Sequence, residues 1–323
     1  MADSISLAIF DTGLCMDGKT PSAIHRDSLE TILMAEKAGY TRYWMSEHHD
    51  PHYAWTSPAL MIPYLASRTS TIRLGTAAIL LGLYPPLQAA ETYRTLEAMF
   101  PGRIDYGVGS ASPTSDETRT RLMGGQKISV PDLASRFEQN LVEMHSYLHN
   151  NYPADTPFQC GATPVINAQN TTWIMGTGMG SAIIAAKHST AFSYSLFHRF
   201  SKQVPAISEH YRSEFIPGNG RLMPCCNIAV SVVCAPTEAE ALKQKTWIES
   251  VQSDFQINVY GDAESCVTQL RNLARIYQTN ELVIFMMWHI FEKRLEGLQL
   301  LAERFADIGR RSAPTMEASM IAG

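Results

Sequence analysis

The chain alternates between short apolar runs and longer amphipathic segments, a pattern typical of buried strands followed by helices. The apolar runs predict eight strands, at residues 4–10, 41–45, 71–81, 104–108, 172–175, 191–196, 227–234 and 281–287. Helical periodicity predicts helices at residues 24–38, 57–68, 87–100, 132–148, 180–187, 202–215, 237–250, 263–277 and 291–305. Because no linker or change of composition divides residues 1–323, the pattern predicts one domain of the α/β class, a single (β/α)8 TIM barrel.

Two polar segments interrupt this alternation. Residues 114–129 show no periodicity and predict a loop above the barrel mouth. The segment around residues 150–170 holds three prolines and little pattern, which indicates an excursion that could act as a lid.

Composition and charge exclude several classes of function. A net charge of −5 and a pI near 6.1 argue against a nucleic-acid-binding protein, which would show a basic face. No charge-free apolar run is long enough for a membrane span, and residues 1–11 do not resemble a signal peptide. The six cysteines form no CxxC pair, so the sequence predicts free thiols and a cytoplasmic protein.

The segment 41–58 holds the strongest concentration of chemical groups. A strand-like stretch, Tyr43–Met45, is followed directly by Glu47, His48 and His49, with His52 shortly after. Titratable groups at the carboxyl end of a buried strand are typical of active sites in α/β barrels. Surface histidines in an ordinary strand-to-helix loop are the alternative. A metal site is not expected, because no second cluster supplies further ligands.

Three motifs together identify a family resemblance. SEHH at residues 46–49, GTAAILL at 75–81 and ETYRTLEAMFPGRIDYGVG at 91–109 resemble the bacterial-luciferase-like flavin monooxygenases. The resemblance covers nearly the whole chain and favours the single-chain relatives that act in antibiotic and other secondary-metabolite pathways. It implies a (β/α)8 barrel that binds reduced FMN (FMNH2) and activates O2 as a flavin C4a-peroxide. It also implies a small-molecule substrate, a separate flavin reductase and a homodimer.

The resemblance assigns roles to the residues of segment 41–58. His48 matches the family's catalytic histidine, and an imidazole that titrates near neutral pH suits proton transfer as oxygen is reduced. A histidine that only shapes the pocket is the alternative. Glu47 is assigned to cofactor binding and His49 to substrate binding, and both are expected to orient the loop rather than react.

Two further motifs are assigned to the cofactor. Ala77 and Ala78 match the position of a non-proline cis peptide beneath the flavin ring, although an ordinary core strand with small residues would read the same way. The motif of residues 176–181 predicts a phosphate site at a helix N-terminus, and a generic glycine-rich turn is the alternative. The residues assigned to it are Thr177, Gly178, Met179, Gly180 and Ser181.

The sequence departs from the family at two places. Relatives commonly carry a phosphate-neutralising arginine just after strand four, where this chain has Gly109-Ser110; both residues are assigned to the cofactor. Arg199, Arg119 or Arg121 is hypothesised to supply the missing charge.

After strand eight, Trp288 and His289 replace a more polar run, which indicates an apolar or aromatic substrate, although core packing is the alternative. Asp11, which ends the first predicted strand, is assigned to the substrate as well.

Two alternative functions remain open from the sequence. A deazaflavin (F420)-dependent oxidoreductase would use the same barrel for hydride transfer without oxygen. A flavin-binding protein without turnover is the second alternative, and the serine at position 110 keeps it open.

Overall fold

The computed structural model describes residues 5–15, 18–110, 115–150, 161–166, 172–252 and 254–312, with side chains described up to residue 306. Its strands are β1 (Ser6–Asp11), β2 (Arg42–Met45), β3 (Arg73–Thr76), β4 (Ile79–Leu80), β5 (Ile104–Gly109), β6 (Thr172–Gly176), β7 (Ala191–Ser195), β8 (Cys226–Cys234), β9 (Val259–Gly261) and β10 (Glu281–Met286). Its helices are α1 (Pro21–Lys37), α2 (Pro58–Ala66), α3 (Pro86–Met99), α4 (Asp116–Leu122), α5 (Val130–His149), α6 (Met179–Lys187), α7 (Ala206–Ser213), α8 (Glu238–Val251), α9 (Ala263–Ile276) and α10 (Phe291–Ser312).

Eight parallel strands close into a barrel. The order is β1, β2, β3, β5, β6, β7, β8 and β10, and β10 pairs with both β8 and β1 to complete the circle. The short strands β4 and β9 pair with β5 and β8 beside this circle. The predicted (β/α)8 barrel is confirmed.

Side chains of each strand alternate between two separate apolar layers. Strand β2 shows the rule: Tyr43 and Met45 join the large core between strands and helices, whereas Trp44 joins the core inside the barrel. Both faces of the strands are therefore buried, which explains why the strands read as continuous apolar runs.

A paired ion network fills the end of the barrel where the strands begin; we call it the floor. Arg42 Nη1 lies 2.6 Å from Asp105 Oδ2, and Arg42 Nε lies 2.7 Å from Glu281 Oε1. Arg73 Nη2 lies 2.6 Å from Asp105 Oδ1. Trp44 Nε1 donates to Asp105 at 3.0 Å, so four donors surround one carboxylate that is 1% exposed.

Local structure differs from the sequence expectation at three places. The predicted strand 71–81 divides into β3, β4 and a 3-10 turn at Leu81–Leu83. The predicted loop at 114–129 contains α4, capped by the Ser115 side chain. Strand β9 was missed, because its three residues are too short for an apolar period to register.

The predicted lid falls largely on residues 151–160 and 167–171, outside the described residues. The segment connects the end of α5 to the start of β6, so it leaves and re-enters the barrel at the floor end. Its described part, 161–166, contacts the helix layer, where Arg94 donates to the Ala162 carbonyl and the Thr163 N–H donates to Glu91 Oε1 at 3.2 Å. Residues 161–166 therefore pack against α3. Closure of the mouth by the segment around residues 150–170 stays a prediction.

The described residues show neither a membrane-spanning helix nor a metal-binding cluster. No helix in these ranges combines the length and apolar character that a membrane crossing requires. Likewise, the side chains described hold no group of three or more His, Cys, Asp or Glu arranged for a metal ion.

Candidate active site

The barrel mouth collects the residues that follow the carboxyl ends of the strands. Residues 46–53 follow β2, 77–78 follow β3, Ser110 follows β5, 177–181 follow β6 and 287–291 follow β10. The topology thus brings the predicted site segments to the same end of the barrel.

His48 lies half-buried at this mouth and stacks on Tyr53, with ring centroids 4.1 Å apart and an interplanar angle of 11°. Burial lowers the pKa of His48 to about 4, and the neighbouring His198 adds to the effect. His48 is therefore a neutral imidazole at pH 7, able to accept a proton at one ring nitrogen or donate one from the other.

Glu47 holds the loop of His48 against strand β4. Its buried carboxylate accepts the Leu80 N–H at 3.1 Å and the Tyr84 hydroxyl, and it lies 2.7 Å from His49 Nε2. Its own N–H donates to the Ala78 carbonyl at 3.3 Å. Glu47 and His49 thus orient the loop, and their predicted contacts with cofactor and substrate remain predictions.

Small residues form a shelf beside this loop. The Ala77–Ala78 peptide is cis, as the resemblance implies. A Cβ on Gly109 would lie 3.2 Å from the Ala78 Cβ, and one on Gly107 would lie 1.9 Å from the Thr76 carbonyl oxygen. Only glycine therefore allows the two strands to approach at residue 107, and the shelf of Ala77, Ala78 and Gly109 presents little side-chain bulk to a planar ligand.

The glycine-rich turn exposes the N-terminus of α6. Gly178 is the N-cap residue and no side chain caps the helix, so its first amide groups lack an intrahelical or capping acceptor. A Cβ on Gly178 or Gly180 would meet no described atom within 4 Å, whereas Gly176 is packed beneath Ser181. Thr177 is half-buried and Met179 is exposed. This arrangement suits an anion such as a phosphate.

The three arginines hypothesised to replace the family arginine all have protein partners. Arg199 donates to the carbonyls of Phe255 at 2.8 Å and Gln252 at 3.2 Å. Arg121 pairs with Glu117 at 3.0 Å, and Arg119 pairs with Asp116. Ser110 is exposed. The hypothesis that one of these arginines balances the charge of a bound phosphate stays a prediction.

Trp288 and His289 lie together at a cavity of about 60 Å³ between α1, β10, α8 and α10. Trp288 Nε1 donates to the Cys234 carbonyl at 3.0 Å, so part of its role is structural. His289 packs on Trp247 with ring centroids 4.1 Å apart, and its buried Nδ1 has no hydrogen-bond partner among the described residues.

Asp11, assigned to the substrate from the sequence, has protein partners in this structure, and its contact with a substrate stays a prediction. Its carboxylate points out of the barrel and accepts hydrogen bonds from the Gly13 N–H at 3.0 Å, the Ser28 hydroxyl at 2.9 Å and the Tyr43 hydroxyl. Strand alternation is the physical reason, because Phe10 occupies the inward position and Asp11 must face α1. Asp11 therefore ties β1 to β2 and α1.

Sequence reasoning missed the aromatic wall of the mouth. Phe197 lies 5.4 Å from Phe10 and 5.2 Å from Phe285 between ring centroids, and His198 lies 4.6 Å from Phe197. Burial lowers the pKa of His198 to about 4. Period-two alternation places Phe10 and Phe285 on the inward face once one residue of each strand is known to face inward, but the apolar runs alone do not identify that face.

Hydroxyl groups at the strand ends were missed as well. The buried Oγ atoms of Ser46 and Ser195 have no hydrogen-bond partner in the described part of the chain. Such groups are costly unless a ligand or water completes them. A ligand or water at the mouth would complete these two hydroxyl groups.

Comparison with known proteins places this geometry among relatives. Uncharacterized protein YceB of Bacillus subtilis (strain 168) is 30% identical over 334 residues, covering 93% of this chain and 99% of the relative. N-acetyl-S-alkylcysteine monooxygenase of the same organism is 26% identical over 333 residues, covering 93% and 98%.

Solved structures of other proteins share this fold. Apo-MsnO8 superposes with a TM-score of 0.80 at 28% identity, covering 94% of this chain and 98% of that one. The fold alone is shared, at 14% identity, with two ligand-bound structures that each cover 94% of this chain. One is the oxygenating constituent of 3,6-diketocamphane monooxygenase of Pseudomonas putida with FMN (TM-score 0.73, 98% of that chain). The other is an F420-dependent secondary alcohol dehydrogenase with an F420-acetone adduct (TM-score 0.70, 99% of that chain).

The family model for luciferase-like monooxygenases matches residues 13–279, which include the His48 loop, the small-residue shelf and the α6 N-terminus. The match spans most of the chain, and the barrel and mouth have the form described above. The protein belongs to the luciferase-like monooxygenase family of oxidoreductases.

Proposed function

We propose that the protein is a reduced-FMN- and O2-dependent monooxygenase of an apolar or aromatic organic substrate. The observation that carries the proposal is the position of the neutral His48. The residue before it, Glu47, donates its N–H to the Ala78 carbonyl of the shelf. A proton-transfer group is thereby fixed beside a surface suited to a flat ring.

The residues present fit a flavin mononucleotide. Ala77, Ala78 and Gly109 would lie against the ring, and the uncapped N-terminus of α6 with Ser181 would hold the phosphate. When bound, the reduced flavin supplies the electrons that activate oxygen. The FMN complex of a protein with this fold supports the choice, and the F420 complex of another keeps the deazaflavin as a competitor.

The chain's own residues have three tasks in this proposal. His48 takes up or delivers a proton at a ring nitrogen, and its stacking on Tyr53 fixes the ring plane. Glu47 holds the loop beside the shelf by accepting a hydrogen bond from the Leu80 N–H. The aromatic wall around Phe197 excludes water from the reacting atoms.

The rest of the proposal draws on the resemblance and the relatives. A separate reductase would deliver the reduced flavin, and the chain would work as a cytoplasmic homodimer in secondary metabolism such as antibiotic biosynthesis. The likeness to a named monooxygenase supports an oxygenating activity, and the reductase, the homodimer, the compartment and the pathway rest on the resemblance alone. A flavin-binding protein without turnover remains the second candidate, favoured by the exposed Ser110.

An anaerobic titration with reduced FMN, and in parallel with reduced F420, tests the proposal. Reduced FMN should bind, and oxygen should then reoxidise it at a rate that differs from that of free flavin. In His48→Asn, binding should persist while oxygenation of a substrate falls about 10²- to 10⁴-fold.

His52→Asn is the matched control, because the His52 side chain is 74% exposed at the edge of the same loop. Selective binding of F420 would replace the proposal with hydride transfer. Reoxidation at the free-flavin rate, unchanged by any substrate tried, would favour the non-catalytic alternative.

A further inference from the structure

The cavity beside Trp288 and His289 combines an apolar wall with a cation. Phe255, Phe285, Met287 and Trp247 line it, and the side chain of Arg294 reaches it from the first turns of α10. Lys19 and Asp27 line it as well. A largely apolar cavity with a few charged groups is typical of a site that orients an amphiphilic small molecule.

Arg294 lacks a close acceptor for its guanidinium. Its Nε is buried without a hydrogen-bond partner among the described residues. The only ion pair described for it joins Nη1 to Asp11 Oδ1 at 3.8 Å, which is too long for a hydrogen bond. Asp11 is already occupied by Gly13, Ser28 and Tyr43. Nε of Arg294 is therefore left without an acceptor, and its other guanidinium N–H donors have no close acceptor among the described residues.

The second cation at the cavity is already neutralised. Lys19 Nζ lies 2.7 Å from Asp27 Oδ2 and 4.9 Å from the ring centroid of Phe291. Arg294 approaches the same ring, at 5.4 Å. Phe291 thus lies between Lys19, which has a close acceptor, and Arg294, which has none among the described residues.

We propose that Arg294 binds a carboxylate carried by the substrate, so that the substrate class is an organic acid with an apolar or aromatic body. The planar guanidinium fork matches a carboxylate with two parallel hydrogen bonds. The body of the acid packs on Phe285, Met287 and Trp247, and His289 Nδ1 offers a further polar contact.

That the acid is the substrate rests on the proposed function, whereas binding of the acid at Arg294 does not depend on that function. A carboxylate anchored at Arg294 would leave the apolar body facing Phe285, whose ring belongs to the aromatic wall of the mouth. The acid group would thereby fix which end of the molecule points away from the reacting centre.

The test is a binding experiment without turnover. Phenylacetate, 3-phenylpropanoate and 4-phenylbutanoate are titrated beside their primary amides, with the fluorescence of Trp247 and Trp288 and calorimetry as readouts. At least one acid should bind ten times or more tightly than its amide at pH 7. Arg294→Gln should abolish that preference, and Arg294→Lys should keep only part of it, because lysine retains the charge without the fork.

Lys293→Gln is the matched control. Lys293 is the neighbour of Arg294 in sequence and pairs with Glu240 and Glu296 on the surface, so its removal should leave the acid preference intact. Thermal unfolding of each variant checks that the fold persists.

Four results would overturn the inference. These are no binding of any acid, equal binding of acids and amides, an acid preference that survives in Arg294→Gln, and competition by sulfate as strong as that by the acids. The last would assign the site to an inorganic anion. Failure of reduced FMN to bind, with the acid preference intact, would reject the proposed function and leave this site standing.

Discussion

The two ends of the barrel treat their polar groups in opposite ways. At the floor, every carboxylate oxygen of Asp105 and Glu281 accepts a hydrogen bond from Arg42, Arg73, Trp44 or Asn227. At the mouth, the hydroxyls of Ser46 and Ser195, a ring nitrogen of His289 and Arg294 Nε are buried without partners among the described residues. The two floor carboxylates are completed by the chain itself, although the buried Oδ1 of Asn227 has no partner among the described residues. A ligand or water would complete the groups named at the mouth.

The difference teaches where stability and function lie in this fold. Completing a buried polar group within the protein makes its removal costly to folding. Leaving a buried group incomplete costs stability in the free protein, and the cost is recovered on binding. Substitutions at the floor should therefore act on unfolding, and those at the mouth should act on ligands and pH dependence.

The largest expected effect is at the floor. Asp105→Ala removes the carboxylate between Arg42 and Arg73 and leaves two mostly buried cations without their shared partner. Breaking a buried ion pair on one side costs about 3–5 kcal/mol. Urea denaturation should show the free energy of unfolding falling by about that amount.

The control is a surface ion pair outside the barrel, between Glu117 and Arg121. Glu117→Gln removes one partner of a surface pair whose side chains are 76% and 78% exposed, so the loss should stay under about 1 kcal/mol. If the two variants lost the same stability, the floor network would not differ from a surface pair and the comparison would fail.

A smaller effect should come from acid at the mouth. Burial lowers the pKa values of His48 and His198 from 6.5 to about 4, so between these values the unfolded chain binds more protons than the folded one. Stability is complete above pH 6.5 and is lost as the pH falls toward 4. Each histidine should add up to about 1.4 kcal/mol per pH unit to this slope.

His198→Gln, measured by urea denaturation across this pH range, should reduce the slope by one histidine's share. His52→Gln is the control, because its side chain is 74% exposed and the pKa of its partner Asp50 lies below this window. An unchanged slope in His198→Gln would show that the mouth histidines are not held neutral.

The barrel could be predicted because its determinants are local. Each buried parallel strand is a continuous apolar run, and each helix has its own period. The same property concealed which face a residue occupies, because inward and outward positions of β1 from Leu7 to Phe10 are all apolar. The outward direction of the Asp11 side chain and the inward direction of Phe10 were both missed for this reason.

The site could be predicted only where motif and loop coincide. The Glu47–His48 loop and the Ala77–Ala78 peptide were located because the resemblance is carried by those residues. Arg294 had no such signal, because it lies within the last helix and meets β10 residues only through the fold. Unsatisfied hydrogen bonds, likewise, are properties of three-dimensional surroundings and leave no pattern in the sequence.

The smallest expected effect sharpens the comparison by completing the mouth. Ser110 is exposed at the end of β5, where family resemblance implies an arginine for the phosphate. Ser110→Arg should tighten binding of FMN about fivefold, or about 1 kcal/mol, because solvent screens a charge at this position. Quenching of flavin fluorescence at low and high salt measures the gain, which salt should reduce.

Two controls decide whether that gain comes from the phosphate. Ser110→Gln adds a polar side chain of intermediate length without charge and should leave FMN affinity nearly unchanged. Riboflavin lacks the phosphate, so Ser110→Arg should not tighten its binding. An equal gain for riboflavin would place the new arginine against the ring or the ribityl chain. The expectation that a charge at residue 110 balances the phosphate would then be wrong.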